Sequence, residues 1–191
     1  MRIPVRLFIL MFAVFIAAGS AGCEKSGVKA ARETDLTPQQ ILSIDEQKFL
    51  SDAEKAEIRQ NTLAQEALKR SRSAEIQAFA TKVHDDMSVA LTELNDLTKA
   101  KHMVEPAEFA AAAHSEAAAQ LQSVSDDAFD HEFVSLLTVE AQEAVRMFDS
   151  AAGTAADPDV RNYAKRALPS LRANYDKASD LEKKLAEKNA S

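Results

Sequence analysis

Four stretches of this chain carry apolar residues at intervals of three and four, and no stretch alternates with the two-residue period of a strand. The first stripe is Phe49, Ala53, Ala56, Gln60, Leu63 and Ala67, and the second is Ile76, Phe79, Val83, Met87, Ala90, Leu94 and Leu97. The third is Phe129, Phe133, Leu137, Ala141, Ala144 and Phe148, and the fourth runs Val160, Ala164, Ala167, Leu171, Asn174, Ala178, Leu181 and Leu185. Residues so spaced return to one face of an α-helix, so each stretch predicts an amphipathic helix that must bury its seam against others. With only 4 glycines in 191 residues, long helices joined by short connections are expected. The many alanines on the seams would let the helices approach closely.

The ends of these helices are marked in the residues. "TPQQ" at Thr37 and "SIDE" at Ser43 each offer a cap followed three residues later by Gln40 or Glu46, so one of the two opens a first helix that runs to about Arg70. Ser73 is placed to cap a second helix that continues to about Lys101. "VEPAEF" starts a short alanine-rich helix near Pro106, lasting to about Gln122. Ser125 is the expected cap of the next helix, which should end before Gly153, and Asp157 with Pro158 opens the last. Helices of about 25 to 30 residues are roughly 40 Å long. The expected architecture is all-α: an antiparallel four-helix bundle over residues 38–188, with the short helix as an extra piece in the long connection.

A different pattern precedes the bundle. Arg2 and Arg6, the apolar run Leu7 to Ala18 and the small residues "GSAG" read as a signal segment, residues 1–22. The run is too short for a spanning helix, and no later stretch is apolar for long enough to cross a bilayer. Cys23, the single cysteine, stands where a lipoprotein signal places the residue that is acylated, although Ser20 occupies a position that usually carries Leu. Cleavage after Ala21 is the alternative, and it leaves an unpaired thiol in an oxidising compartment. Lipidation of Cys23 is therefore the expectation, with residues 23–37 as the acylated cysteine and a flexible tether of roughly 20 Å reach. Glu24 after the cysteine points to the outer membrane, on the periplasmic side of the envelope.

Loss of the two signal arginines leaves 21 basic residues against 30 acidic ones, a net charge of −9. The basic stripe that phosphate backbones require is missing, so nucleic acid and anionic lipid headgroups are poor partner candidates.

The seams share an exception. Gln60, Met87, Glu140 beside Ala141, and Asn174 each lie near the midpoint of their own helix, so an antiparallel bundle would bring them to one level, where such proteins build metal and cofactor sites. The stretch "TKVHDDM" adds His84, Asp85 and Asp86 to this region. With Val83 and Met87 pointing inwards, His84 and Asp85 turn to the sides about 100° apart and do not converge on one ion, while Asp86 borders the seam. Di-iron bundles need a Glu-x-x-His pair on each of two helices. None of His84, His102, His114 or His131 has an acid three positions before it, and the last three are read as solvated helix-end residues. A thioether, two amides and a carboxylate make a poor hard-metal set. The expected arrangement is a hydrogen-bonding layer in which Gln60 and Asn174 satisfy each other or Glu140, with Asp86 in reach and Met87 filling space.

From about Asp45 to Leu185 the chain resembles the ferritin-like bacterial envelope proteins of domain-of-unknown-function family 4142. The likeness rests on "FLSDA" at Phe49, "SAEIQAFATKVHDDM" at Ser73, "FDHEFV" at Phe129 and "ALPSLRANYDKA" at Ala167. It implies a ferritin-like bundle exported to the envelope, with no established reaction. Family members often carry glutamate where this chain has Gln60, and histidine where it has Met87, Ala141 and Asn174. All four positions differ here, so metal chemistry does not transfer with the resemblance.

The sequence therefore predicts a lipid-anchored, non-catalytic binding or structural module, with no catalytic residue, metal ligand or cofactor. Its expected partners are the membrane through Cys23, and envelope proteins or a small apolar ligand admitted between the helices by opening of the short helix. The competing expectation is a ferritin-like metal-binding or metal-oxidising protein with an unconventional core site.

Overall fold

A computed structural model of the protein describes residues 41–104 and 106–189. The signal segment, Cys23 and the tether lie outside the described residues. Five helices account for most of the rest: α1 (Ile44–Arg70), α2 (Ala74–Ala100), α3 (Ala107–Gln122), α4 (Phe129–Thr154) and α5 (Pro158–Asn189). There is no strand among the described residues, and no helix there is long and apolar enough to cross a membrane.

Local chemistry sets the helix ends. Ser43, not Thr37, opens α1: its hydroxyl accepts the Glu46 N–H, and the Glu46 carboxylate reaches back to the Ser43 N–H at 2.9 Å. Ser73 caps α2 through the Ile76 N–H, and Asp157 caps α5 through the N–H groups of Asp159 and Val160. Two expected boundaries move. Ser125 does not cap the fourth helix; it begins a turn, its carbonyl accepting the Ala128 N–H, and α4 starts at Phe129 without a side-chain cap. That helix also continues through Gly153 to Thr154, because the glycine is exposed and nothing there requires a left-handed turn.

The four long helices pack as a ring in which α1 touches α2 and α4, and α5 touches the same two. Neighbours run antiparallel, while α1 and α5 run parallel. The short α3 lies outside the ring against α1, carrying the chain from the end of α2 back to the start of α4. Arg70 pins its far end by donating to the carbonyls of Leu121 and Val124 at 2.7 and 2.6 Å, and its guanidinium lies 4.3 Å from the Phe129 ring centre.

The seams bury mostly what their spacing predicts. All six α4 residues are buried, as are all of the α2 residues except the half-buried Leu97. On α1 the core face is rotated slightly, so that Leu50 and Glu57 are inside and Ala56 is only partly covered. On α5 Tyr163 and Leu168 join the core, leaving Ala167 and Leu185 half-buried. Aromatic rings fill the two ends. Phe49, Phe148 and Tyr163 meet with centroids 5.2 to 6.3 Å apart, and Phe79, Phe133 and Phe129 follow one another at 6.4 and 6.5 Å. Between these clusters Leu63, Met87, Leu137 and Leu171 share the core with small and polar side chains.

Candidate functional site

The residues of that middle tier are placed by helix register. Phe49 of α1 faces Tyr163 of α5 across one end of the core. Eleven residues, or three turns, further along each of these parallel helices stand Gln60 and Asn174, so both return to the core side at one level. Contacts from α1 to its neighbours tie the remaining positions to the same level. Asn61 donates to Ser88 of α2 at 3.1 Å and accepts from the His84 ring nitrogen at 3.0 Å, and Arg59 binds Glu140 of α4.

The five predicted residues do not form one network. Gln60, Met87 and Asn174 are fully buried, whereas Asp86 and Glu140 are only partly so. Asn174 donates to Asp86 at 2.9 Å, and Asp86 also receives Lys82, one turn earlier on its own helix, at 2.6 Å. Glu140 turns away from the amides, because two nitrogens of Arg59 hold it at the edge of the ring while a third reaches Glu116 of α3 at 3.3 Å. The expected bond among Gln60, Asn174 and Glu140 is therefore absent. Neither polar atom of Gln60 has a partner, nor does the Asn174 carbonyl oxygen. Met87 fills space beside them.

The same helix face of α1 holds a carboxyl group that the stripe reading passed over. Glu57, one turn before Gln60, is 1 % exposed and accepts a hydrogen bond from the Tyr163 hydroxyl, while its second oxygen has no partner. Burial pushes Glu57 up to about 8, more than the Tyr163 bond lowers it, and Glu54 and Glu93 add to the rise. Burial and then the Glu57 charge also raise Tyr163. The pair is legible only once the seam is drawn through Ala53, Glu57, Gln60 and Ala64, spacings that fit a helix as well as those through Ala56.

A second buried polar group lies at the end of the core that holds Phe49 and Tyr163. Lys101, at the end of α2, donates to Asp157 at 2.6 Å and Asp159 at 2.7 Å, while Glu46 accepts the Asp157 N–H at 2.7 Å. Burial raises Glu46 and Asp157, but the bonds they accept outweigh it and leave both below the usual carboxylate range. Lys101 is held above its ordinary value because its two aspartates outweigh its burial. This knot joins the ends of three helices and contributes to their alignment.

Among the described residues no three His, Cys, Asp or Glu side chains are placed to share an ion. His84 is engaged with Asn61, and His114, which lies inside α3 and not at a helix end, is 2.7 Å from the Thr62 hydroxyl. The middle tier offers two amide oxygens, a thioether and a carboxylate already held by Lys82. This donor set does not fit the redox metal of a ferritin-like centre, which needs imidazoles and several free carboxylates.

Residues 31–181 match the family described as a domain of unknown function, DUF4142. The chain belongs to that family. This DUF4142 domain is also similar to a solved structure, described as the crystal structure of a DUF305 fragment from Deinococcus radiodurans. The similarity covers 75% of this chain and 98% of the fragment, with a TM-score of 0.63. At 17% identity the likeness concerns the all-helical fold alone. No curated protein matches the chain.

Proposed function

We propose that this DUF4142 protein is a lipid-anchored domain on the periplasmic side of the bacterial envelope, at the outer membrane, and that it acts as a non-catalytic binding or structural module. The N-terminal basic and apolar segment ending at Cys23 supports the address. The observation that carries the non-catalytic role is the pairing of the middle-tier acids. Asp86 is held through Oδ2 by Lys82 and Asn174, and Glu140 through Oε1 by Arg59, so each middle-tier acid is already paired with a cation of the chain itself.

The competing reading, a core metal site, is favoured by the partnerless oxygens of Gln60 and Asn174 at the level of Asp86. Elemental analysis of protein purified from metal-supplemented growth separates the two. The module reading expects no stoichiometric metal; metal that is present in the native protein and lost in Asp86→Ala or Glu140→Ala overturns it. Intact-mass measurement of membrane-extracted protein tests the address, since an acylated Cys23 is expected and an unmodified one removes the anchor.

A further inference from the structure

We propose that the end of the bundle where α1 begins is a membrane-contact face, seated on the bilayer that holds the chain's own lipid anchor; the inference rests on acylation of Cys23. Seven large hydrophobic side chains are exposed among the described residues, and four of them gather here: Ile41 is 66 % exposed, Ile44 84 %, Val104 88 % and Phe109 44 %. With Met103 they line a single open groove of about 580 Å³ between the start of α1 and the connection from α2 to α3. Exposed hydrophobics scattered singly call for no explanation, but a contiguous group does. The three others, Leu68, Val89 and Val139, line none of this groove.

The length of chain before the domain names the occupant. Ile41 follows Cys23 by 18 residues, which span at most about 65 Å in any conformation. An acyl anchor at Cys23 therefore keeps this end of the domain near the membrane surface. Tethering makes contact intramolecular, at an effective concentration in the millimolar range, so a face that would bind lipid weakly by itself is engaged most of the time. A second copy of the chain fits less well. Four side chains expose a few hundred Å² at most, well below the roughly 800 Å² per partner of a stable interface.

The test uses the full mature protein, extracted from membranes and reconstituted into phosphatidylethanolamine and phosphatidylglycerol vesicles. Val104→Cys and, as the control on α4, Val139→Cys each carry an environment-sensitive fluorophore, and the same samples are weighed by intact mass. Spin-labelled lipid is expected to quench the Val104 probe about threefold or more above the Val139 probe, as for side chains held at the headgroup and acyl boundary. Adding Ile44→Asp should abolish that difference. An acylated Cys23 with equal quenching at the two positions overturns the contact face alone, whereas an unmodified Cys23 overturns the anchor on which it rests. A Val104 probe shielded from water without quenching by lipid indicates a protein partner or a second copy, and also overturns the proposal.

Discussion

Tyr163 on α5 donates its hydroxyl to Glu57 on α1 across the core, and the second Glu57 oxygen has no partner. The carboxyl group is thus accommodated as a neutral acid. Its rise from 4.5 to about 8 means that, between those values, the unfolded chain binds fewer protons than the folded one. Stability should fall as pH rises through this window, by up to roughly 1.4 kcal/mol per pH unit. Urea unfolding at several pH values between 5 and 8 measures the slope. Glu57→Gln, which keeps an acceptor for Tyr163 and cannot ionise, should flatten it. A variant with the same slope as the native protein would exclude Glu57 as the source.

Gln60 makes the opposite case for a neutral group. Its amide is fully buried with neither atom bonded, an arrangement that costs about 1–3 kcal/mol. Gln60→Leu, similar in volume and apolar, is expected to raise the urea midpoint, with a gain of about 1 kcal/mol or more. Asn174→Leu should gain less, because it also removes the bond to Asp86. No change in the Gln60 variant would mean that the amide has a partner in solution.

At the end of the core that holds Phe49 and Tyr163, Lys101 neutralises Asp157, and both side chains are less than a tenth exposed. Lys101→Met leaves that carboxylate buried without its cation and should cost about 2–4 kcal/mol. The depressed Asp157 and Glu46 values give stability that is present above the unfolded carboxylate range and lost as pH falls through the folded values. Acid unfolding of Asp157→Asn should therefore be less steep below about pH 4. Circular dichroism during acid titration reads both effects.

Arg70 holds α3 by a fork that lysine cannot reproduce, with two carbonyls and the Phe129 ring engaged at once. Arg70→Lys should cost about 1–2 kcal/mol, and hydrogen exchange should quicken in residues 107–122 before it does in α5. Uniform acceleration through all the helices would show that α3 does not open separately.

Gly153 gives the simplest test of the revised boundary of α4. It is helical, exposed and has nothing within 4 Å of an added methyl group. Gly153→Ala is expected to stabilise the protein by about 0.5–1 kcal/mol, read as a higher melting temperature. A loss of stability would place the end of the helix before this residue, as its glycine first suggests.

The helices were readable because the information for them is local. Ser43 with Glu46, Ser73, and Asp157 with Pro158 carry their capping chemistry within four residues, and the α4 stripe repeats without error from Phe129 to Phe148. Gln60, Met87 and Asn174 could be set at one level because the midpoint of a helix is a matter of counting. The choice between Ala56 and Glu57 as a seam residue was different, since one residue of rotation about the axis decides it and the pattern tolerates both. Ser125 and Gly153 misled for a related reason: a capping residue or a glycine permits an end without requiring one.

Partners across the core depend on the rotation and axial shift of whole helices, which the packing of all the seams sets together. Glu57 meets a tyrosine 106 residues away, Asp157 a glutamate 111 residues away, and Glu140 an arginine 81 residues away. Composition and periodicity determine that this chain forms long amphipathic helices with a polar middle. The packed arrangement determines which of those polar atoms are bonded and which are left alone, because a hydrogen bond needs its atoms aligned to a few tenths of an ångström, and no local pattern specifies that across helices.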